Sequence, residues 1–307
     1  MSQQFNINGI PSQYGRVAII TGANAGLGFE SALALAQKDM TVVLACRNLQ
    51  RAEKAKDAIL KVMPEADLDV LQIDLSSLKS VRNFAEQFLS KYKKLDVLMN
   101  NAGVMIPPFF KTEDGFELQM AANYFGHFLL TGLLLETILN TPNSRVVSLS
   151  SKAHEQGEIN FDNLNSERSY SKFGAYAQSK LACLMFAYEL DKRLKLKTGH
   201  STSSVAAHPG ASDTELSRHL PQWLYKIMRP LALATLVQNQ KQGAEPQIMA
   251  ALAEEVKGGD YFGPNGFQEL RGRAVKVDSK PHAKHEDIWL RLWEASEVLT
   301  NIKYLNN

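Results

Sequence analysis

The sequence predicts an α/β chain folded as a single doubly wound domain: a mostly parallel seven-stranded sheet with helices on both faces. Three observations predict it. Short β-branched apolar runs alternate with longer helix-like segments along the 307 residues. A glycine-rich turn follows the first run directly, and no repeat, low-complexity tract or flexible linker divides the chain. Parallel neighbours need crossover connections, and helices supply them with a nearly invariant right-handed sense. With 45% hydrophobic and 21% charged residues, the whole of 1–307 can bury one large core.

The elements follow in order. Val17–Thr21 is a continuous apolar run too short for a helix and reads as the first strand. Thr41–Cys46, 68–73, 95–100, Arg145–Leu149 and Ser203–Ala207 read as the next five, each separated from the last by a helical segment. The short "DYFGPNG" piece at 260–266 supplies the seventh. One segment departs from the pattern: 216–239 is rich in Leu, Trp and Met and is interrupted by Pro221 and Pro230. It falls well short of the roughly 20 continuous apolar residues of a membrane-spanning helix, so no integral span is expected. A core helix pair, a membrane-surface helix and a substrate lid compete for it, and its position after the 208–214 turn favours the lid.

The totals exclude several classes. Thirty-four basic against 32 acidic side chains leave a net charge of +2, without the positive field that nucleic-acid binding needs. Cys46 and Cys183 each sit inside an apolar run, which suits buried hydrophobes better than a disulfide or a metal site, so no metal is expected and a reducing compartment follows. The first fifteen residues are polar, with Pro11 and Gly15 and no basic segment leading into an apolar one; a secretory signal is not expected and a cytoplasmic location is.

The turn "TGANAGLG" (21–28) carries the first functional signal. A helix start presents unpaired N–H groups and a positive dipole end, which attract a pyrophosphate if side chains stay out of the way. Gly22, Gly26 and Gly28 remove Cβ atoms from the tight turn, the ligand surface and the helix–strand contact. The second strand ends at "ACRN"; where an NAD-specific fold places an acid about 20 residues past the turn, to hold the ribose 2′-hydroxyl, Arg47 stands instead. A guanidinium grips a 2′-phosphate, so the sequence leans to NADP(H), with NAD(H) left open. Asp74 could accept from an adenine amino group or cap the helix that follows Ser76.

The second signal is Tyr176 and Lys180, four apart on a helix-like run and therefore on one face. A free phenol titrates near pH ~10, and a neighbouring ammonium favours the phenolate that proton transfer needs. With these residues in place the chain resembles a short-chain dehydrogenase/reductase over 16–266. The motifs fall in that family's order: "TGANAGLG", "NNAG" at 100–103, "NYFGHFLLT" at 123–131, "VVSLSS" at 146–151, "YAQSK" at 176–180 and "HPGASDT" at 208–214. The resemblance implies a Rossmann fold and assigns roles. Tyr176 would be the general acid or base, Lys180 would favour its phenolate and hold the nicotinamide ribose, and Ser151 would hydrogen-bond the reacting oxygen. Asn123, in the fourth long helix, is similar to the asparagine that keeps a water chain to Lys180. Gly22, Asn24, Gly26, Leu27 and Gly28 would cradle the cofactor, with Arg47, Asp74, Leu75, Asn101, Ala102 and Gly103 along its adenosine half. Pro209, Gly210, Ala211, Ser212 and Thr214 would meet its carboxamide end.

Ser148, Ser150 and Ser151 crowd the same strand end; Ser151 matches the family pattern best, 25 positions before the tyrosine, as in retinol-dehydrogenase-like members. That subgroup implies an NADP(H)-dependent oxidoreductase acting on a carbonyl or alcohol of a lipophilic substrate, with Trp223, Leu224, Ile227, Met228 and Leu231 offering an apolar wall. Two other readings compete. Light-dependent protochlorophyllide reductase has similar motifs but a cysteine where Ala211 stands, and a cofactor-sensing regulator would have lost the intact Tyr176, Lys180, Ser151 and Asn123. The apolar "FLLTGLLLETIL" permits a homodimer or homotetramer through the helices bearing Asn123 and Tyr176; alternatively, the stretch with Trp289 and Trp293 buries those helices.

Overall fold

Uninterrupted apolar runs become the central strands because both of their faces are covered. In the computed structural model, which describes residues 5–211 and 238–305, β1 (Val17–Thr21) and β4 (Val97–Asn100) are buried at every position. Around them lie β2 (Thr41–Cys46), β3 (Leu68–Gln72), β5 (Arg145–Leu149), β6 (Ser203–Ala207), β7 (Tyr261–Pro264) and β8 (Ala274–Val277). The order is β3-β2-β1-β4-β5-β6-β7-β8, parallel throughout except that β8 runs antiparallel to β7. The sheet therefore has eight strands where the sequence predicts seven. The extra one is four residues of partly exposed edge, too short to stand out beside a turn rich in Gly and Arg, and its pairing from Pro264↔Ala274 to Tyr261↔Val277 holds it in place.

The chain builds outward from β1 to β3, then returns to β4 on the other side of β1. That reversal opens a crevice between the carboxyl ends of β1 and β4, where folds of this class bind ligands. At the opposite end Asp96 ties the two strands together: it accepts from the Val17 N–H at 2.8 Å and pairs with Arg16 at 3.2 Å.

One face carries α1 (Gly26–Ala36), α2 (Leu49–Val62) and α6 (Gln240–Leu252); the other carries α3 (Leu78–Lys91), α4 (Gly126–Leu139), α5 (Lys172–Leu196) and α7 (Glu286–Thr300). The last of these packs against α4 and α5. Trp293, on α7, meets Phe128 edge-on at 5.1 Å and stacks on Phe186 at 5.8 Å, and a Cβ at Gly132 would lie 2.6 Å from the Tyr304 ring. Trp289 is half-buried against Tyr188. The C-terminal stretch thus packs onto both helices.

Cys46 and Cys183 are free and buried, and burial pushes the Cys46 thiol up to about 11. Among the described residues, no helix is long and apolar enough to cross a membrane, and no cluster of three His, Cys, Asp or Glu could hold a metal. Of the candidate lid at 216–239, all but Gln238 and Asn239 lies outside the described residues, as do Ser212 and Thr214.

Trp293→Ala removes the ring that joins α7 to α4 and α5. It should cost about 3–5 kcal/mol of stability, read as a lowered urea midpoint; a midpoint within error of the parent would show that α7 docks without it.

Candidate active site

The turn after β1 is shaped by backbone that favours glycine. Gly22 has φ +70°, and its N–H reaches the Ala45 carbonyl at 2.8 Å. A Cβ at Gly28 would meet the Gly22 carbonyl oxygen at 2.5 Å and Asn101 Nδ2 at 2.6 Å, so the first turn of α1 packs directly on the loop. Asn24 on that loop and Leu27 in the first turn of α1 are partly exposed. Helices α2, α3, α5 and α6 are capped by the side chains of Asn48, Ser77, Ser171 and Asn239. Helix α1 has no side-chain cap and no acid in its first turn. Its leading N–H groups and dipole are left for an external anion, which fits a pyrophosphate.

The loop after β4 lies against this turn. Asn101 donates to the Thr21 carbonyl at 2.6 Å and accepts from Gln247 Nε2 at 3.1 Å, so its amide shapes the loop from both ends. Gln247 also donates to Ser31 Oγ at 2.6 Å. Arg47 emerges exposed at the end of β2 and pairs with no acid among the described residues. Asp74 does not cap α3. Its carboxylate accepts from the N–H and hydroxyl of Ser76 at 2.9 and 2.6 Å, and the cap is Ser77. Leu75 is buried beside it.

On the other side of the crevice, Tyr176, Lys180, Ser151 and Asn123 are all buried, none more than 6% exposed. Tyr176 and Lys180 sit one turn apart on α5, with Lys180 Nζ 5.9 Å from the Tyr176 ring centre and donating to the Leu149 carbonyl at 3.1 Å. The three serines separate by position. Ser148 lies inside β5 in register with Asn100; Ser150 is spent on the Lys180 carbonyl at 2.8 Å; Ser151 stands just past the strand end. There it caps the short 3-10 helix Lys152–Gln156, accepting from the Ala153 N–H at 3.2 Å, so capping leaves its hydroxyl proton uncommitted.

Asn123 lies in the fourth long helical stretch, ahead of the regular α-helical part. It sits in a π-helical turn, Met120–Phe125, that precedes α4. An inserted residue of this kind re-aims side chains without disturbing the apolar pattern, which is why the sequence does not reveal it. The Asn123 amide clamps both backbone groups of Val104, accepting at 2.7 Å and donating at 3.0 Å, and also donates to Ser179 Oγ at 2.9 Å. Gly103 lies between Asn123 and Lys180: a Cβ there would be 3.1 Å from the Asn123 oxygen and 3.4 Å from Lys180 Nζ.

The Pro209–Gly210–Ala211 turn is pinned from behind. Gln238 donates to the Pro209 carbonyl at 2.7 Å, and the Ala211 N–H reaches Leu270 O at 2.7 Å. His208 beneath it accepts from the Gly210 N–H and faces Glu269 at 3.1 Å. That contact, helped by Lys152, pulls the Glu269 carboxyl down to about 2. His154 donates Nδ1–H to the Ser151 carbonyl at 2.7 Å, and burial brings its pKa down to about 4. His127 is buried likewise, also at about 4. Sequence reasoning did not single out His127, Ser179 or Gln247. The first lies four residues after Asn123 inside a quoted motif, a usable signal; Gln247 sits in a helix that carries none.

Comparison with known proteins gives consistent results. The family model for short chain dehydrogenase matches residues 16–224. Human retinol dehydrogenase 14 is 38% identical over 305 residues, covering 94% of this chain and 87% of that protein. Human retinol dehydrogenase 12 is 40% identical over 294 residues, covering 94% and 88%. Among solved structures, an uncharacterised protein from Mycobacterium paratuberculosis is 35% identical with a TM-score of 0.81, over 98% of this chain and 99% of that one. Pseudomonas aeruginosa RhlG, in an active-site complex with NADP, shares the fold at 22% identity and TM-score 0.64, over 81% and 94%.

Burial of neutral histidines fixes a pH dependence. His127 and His154 titrate near 4 folded and near 6.5 when exposed, so between those values the unfolded chain binds protons that the folded one refuses. Stability should fall as pH drops from 6.5 to 4, at up to about 1.4 kcal/mol per pH unit for each histidine. Protonation of Glu269 adds a separate loss from 4.5 down to 2. Urea midpoints across this range test the sign, and a flat profile from 6.5 to 4 would contradict it.

Proposed function

Because the chain belongs to the short-chain dehydrogenase family, on its retinol-dehydrogenase-like branch, we propose that it transfers hydride reversibly between NADP(H) and the carbonyl or alcohol carbon of a lipophilic substrate. One observation carries this reading: the buried Tyr176–Lys180 pair and Ser151 converge at the carboxyl end of β5, across the crevice from the uncapped start of α1.

A nicotinamide dinucleotide, when bound, supplies or accepts the hydride. In reduction the Tyr176 phenol gives its proton to the carbonyl oxygen, and in oxidation the phenolate takes it back. The Lys180 ammonium, with one of its three donors committed to Leu149, favours that phenolate by its charge. Ser151 donates to the same oxygen and stabilises the charge that develops there. Asn123 holds Gly103 and Val104 against Lys180. Gly22, Asn24, Gly26, Leu27 and Gly28 would take the pyrophosphate, and Asp74, Leu75, Asn101, Ala102 and Gly103 the adenosine side. Pro209, Gly210 and Ala211 would hold the carboxamide end, with Thr214 assigned there by motif alone.

Preference for NADP(H) is supported by Arg47, which stands where an acid would repel a 2′-phosphate, and by the NADP bound to a structure of the same fold. A lipophilic substrate is supported by the names of the relatives and by the exposed Phe173 on the helix that bears Tyr176. Phe173 lies one turn before Tyr176, and Phe109 packs on Tyr170 at 5.2 Å.

Tyr176→Phe should lower kcat by about 10²–10⁴-fold, with dinucleotide affinity nearly intact, in single-turnover assays with retinal-type and aliphatic aldehydes. Activity within a few-fold of the parent would remove Tyr176 from the chemistry. Arg47→Asp should shift the NADPH:NADH ratio of kcat/KM about tenfold or more toward NADH, the size of one charge-assisted hydrogen bond. An unchanged ratio would make Arg47 a surface residue.

A further inference from the structure

We propose that His127 is the positioning residue that couples the cofactor half of the site to its proton-transfer half. The inference rests on the function proposed above and adds a residue that the catalytic motifs leave out.

His127 is 3% exposed at the start of α4, and both ring nitrogens are engaged. Nδ1 lies 2.9 Å from the Asn123 carbonyl, which can only accept, so Nδ1 carries the proton. Nε2 is then an acceptor, and its partner at 2.9 Å is Thr21 Oγ1. Thr21 therefore gives its single proton to the ring at 2.9 Å, the Met99 carbonyl at 3.4 Å being the longer alternative acceptor. Its lone pairs are taken by the N–H groups of Asn101 and Ala102, each at 2.9 Å. Burial and the nearby Lys180 charge keep the ring neutral, so no second proton inverts this order at neutral pH.

Beyond Asn123 the chain of contacts continues. The Asn123 amide donates to Ser179 Oγ at 2.9 Å, and Ser179 donates to the Tyr176 carbonyl at 2.8 Å. Cys183 adds a second donor to the Asn123 carbonyl at 3.2 Å. A continuous hydrogen-bonded path thus runs from the 101–102 loop, assigned to the adenosine side, through Thr21, His127, Asn123 and Ser179 to the backbone of the tyrosine. Each link has its donor and acceptor fixed, and His127 is the link that joins β1 to the π-helical turn. A nonpolar residue of similar size would fill the space but carry neither bond.

The two limbs can be cut separately. Asn at 127 places a donor near the Nδ1 position and keeps the Asn123 limb while losing Thr21; Gln places an acceptor near the Nε2 position and keeps Thr21 while losing Asn123. H127N should raise the dinucleotide Kd, measured by titration of NADPH and NADH, about five- to tenfold, with a smaller fall in kcat. H127Q should lower kcat by a similar factor, with a smaller rise in Kd. Thr21→Val, which cuts the first limb from its other end and also frees the Asn101 and Ala102 N–H groups, should raise Kd at least as much as H127N, and H127N should add little to it in the double variant. An opposed split between the two parameters supports the proposal. Equal losses in both, no change in either, or full additivity of Thr21→Val and H127N would overturn it. Failure of the wild type to bind either dinucleotide would overturn the proposed function, and this inference with it.

Discussion

The Lys180 ammonium is held away from bulk water at the carboxyl end of β5, and much of the surrounding architecture answers the cost of keeping it there. Its immediate partner is the Leu149 carbonyl, a strand-end group left over where β5 stops. Ser150 fixes the backbone of Lys180 itself, and Gly103 comes close because it has no side chain. The cation's position is thus set by the end of β5, by helix α5 and by the loop that follows β4. A charge so placed stays beside the Tyr176 ring, 5.9 Å from its centre, without first having to be oriented.

The same reasoning applies to the anion side. Most helices here spend a side chain on their first amides, but α1 does not, and its loop is drawn tight by Gly28 packing against Gly22. Asn101 and Gln247 then brace that loop from β4 and α6. One end of the crevice is therefore built from unspent donors and the other from a buried cation and two hydroxyls. The two halves lie at the point where the strand order reverses, which brings together segments distant in sequence.

What the sequence made legible were local regularities: a four-residue spacing for Tyr176 and Lys180, glycines after the first strand, and apolar runs whose length separates strand from helix. What it hid depends on three-dimensional partners. The π-helical turn around Asn123 changes backbone geometry but leaves the apolar pattern of 120–139 intact. β8 exists only because β7 offers an edge. Asp74 could face an adenine or cap the next helix as far as the sequence goes; in the fold its carboxylate closes the turn with Ser76, and Ser77 is the cap. Ser148, Ser150 and Ser151 are equivalent as letters and become different only when Lys180 and the sheet claim two of them.

Helix α7 gives the chain an unusual order of assembly. The aromatic wall of α4 and α5 is finished by Trp293 and Tyr304, residues synthesised long after the helices they cover. On the ribosome, the segment bearing Tyr176 must wait with an uncovered greasy flank while β6, α6 and the β7–β8 hairpin are made. A chain cut near residue 285 would leave the Phe128 and Phe186 rings without Trp293 and Tyr304, a loss out of proportion to the few residues removed.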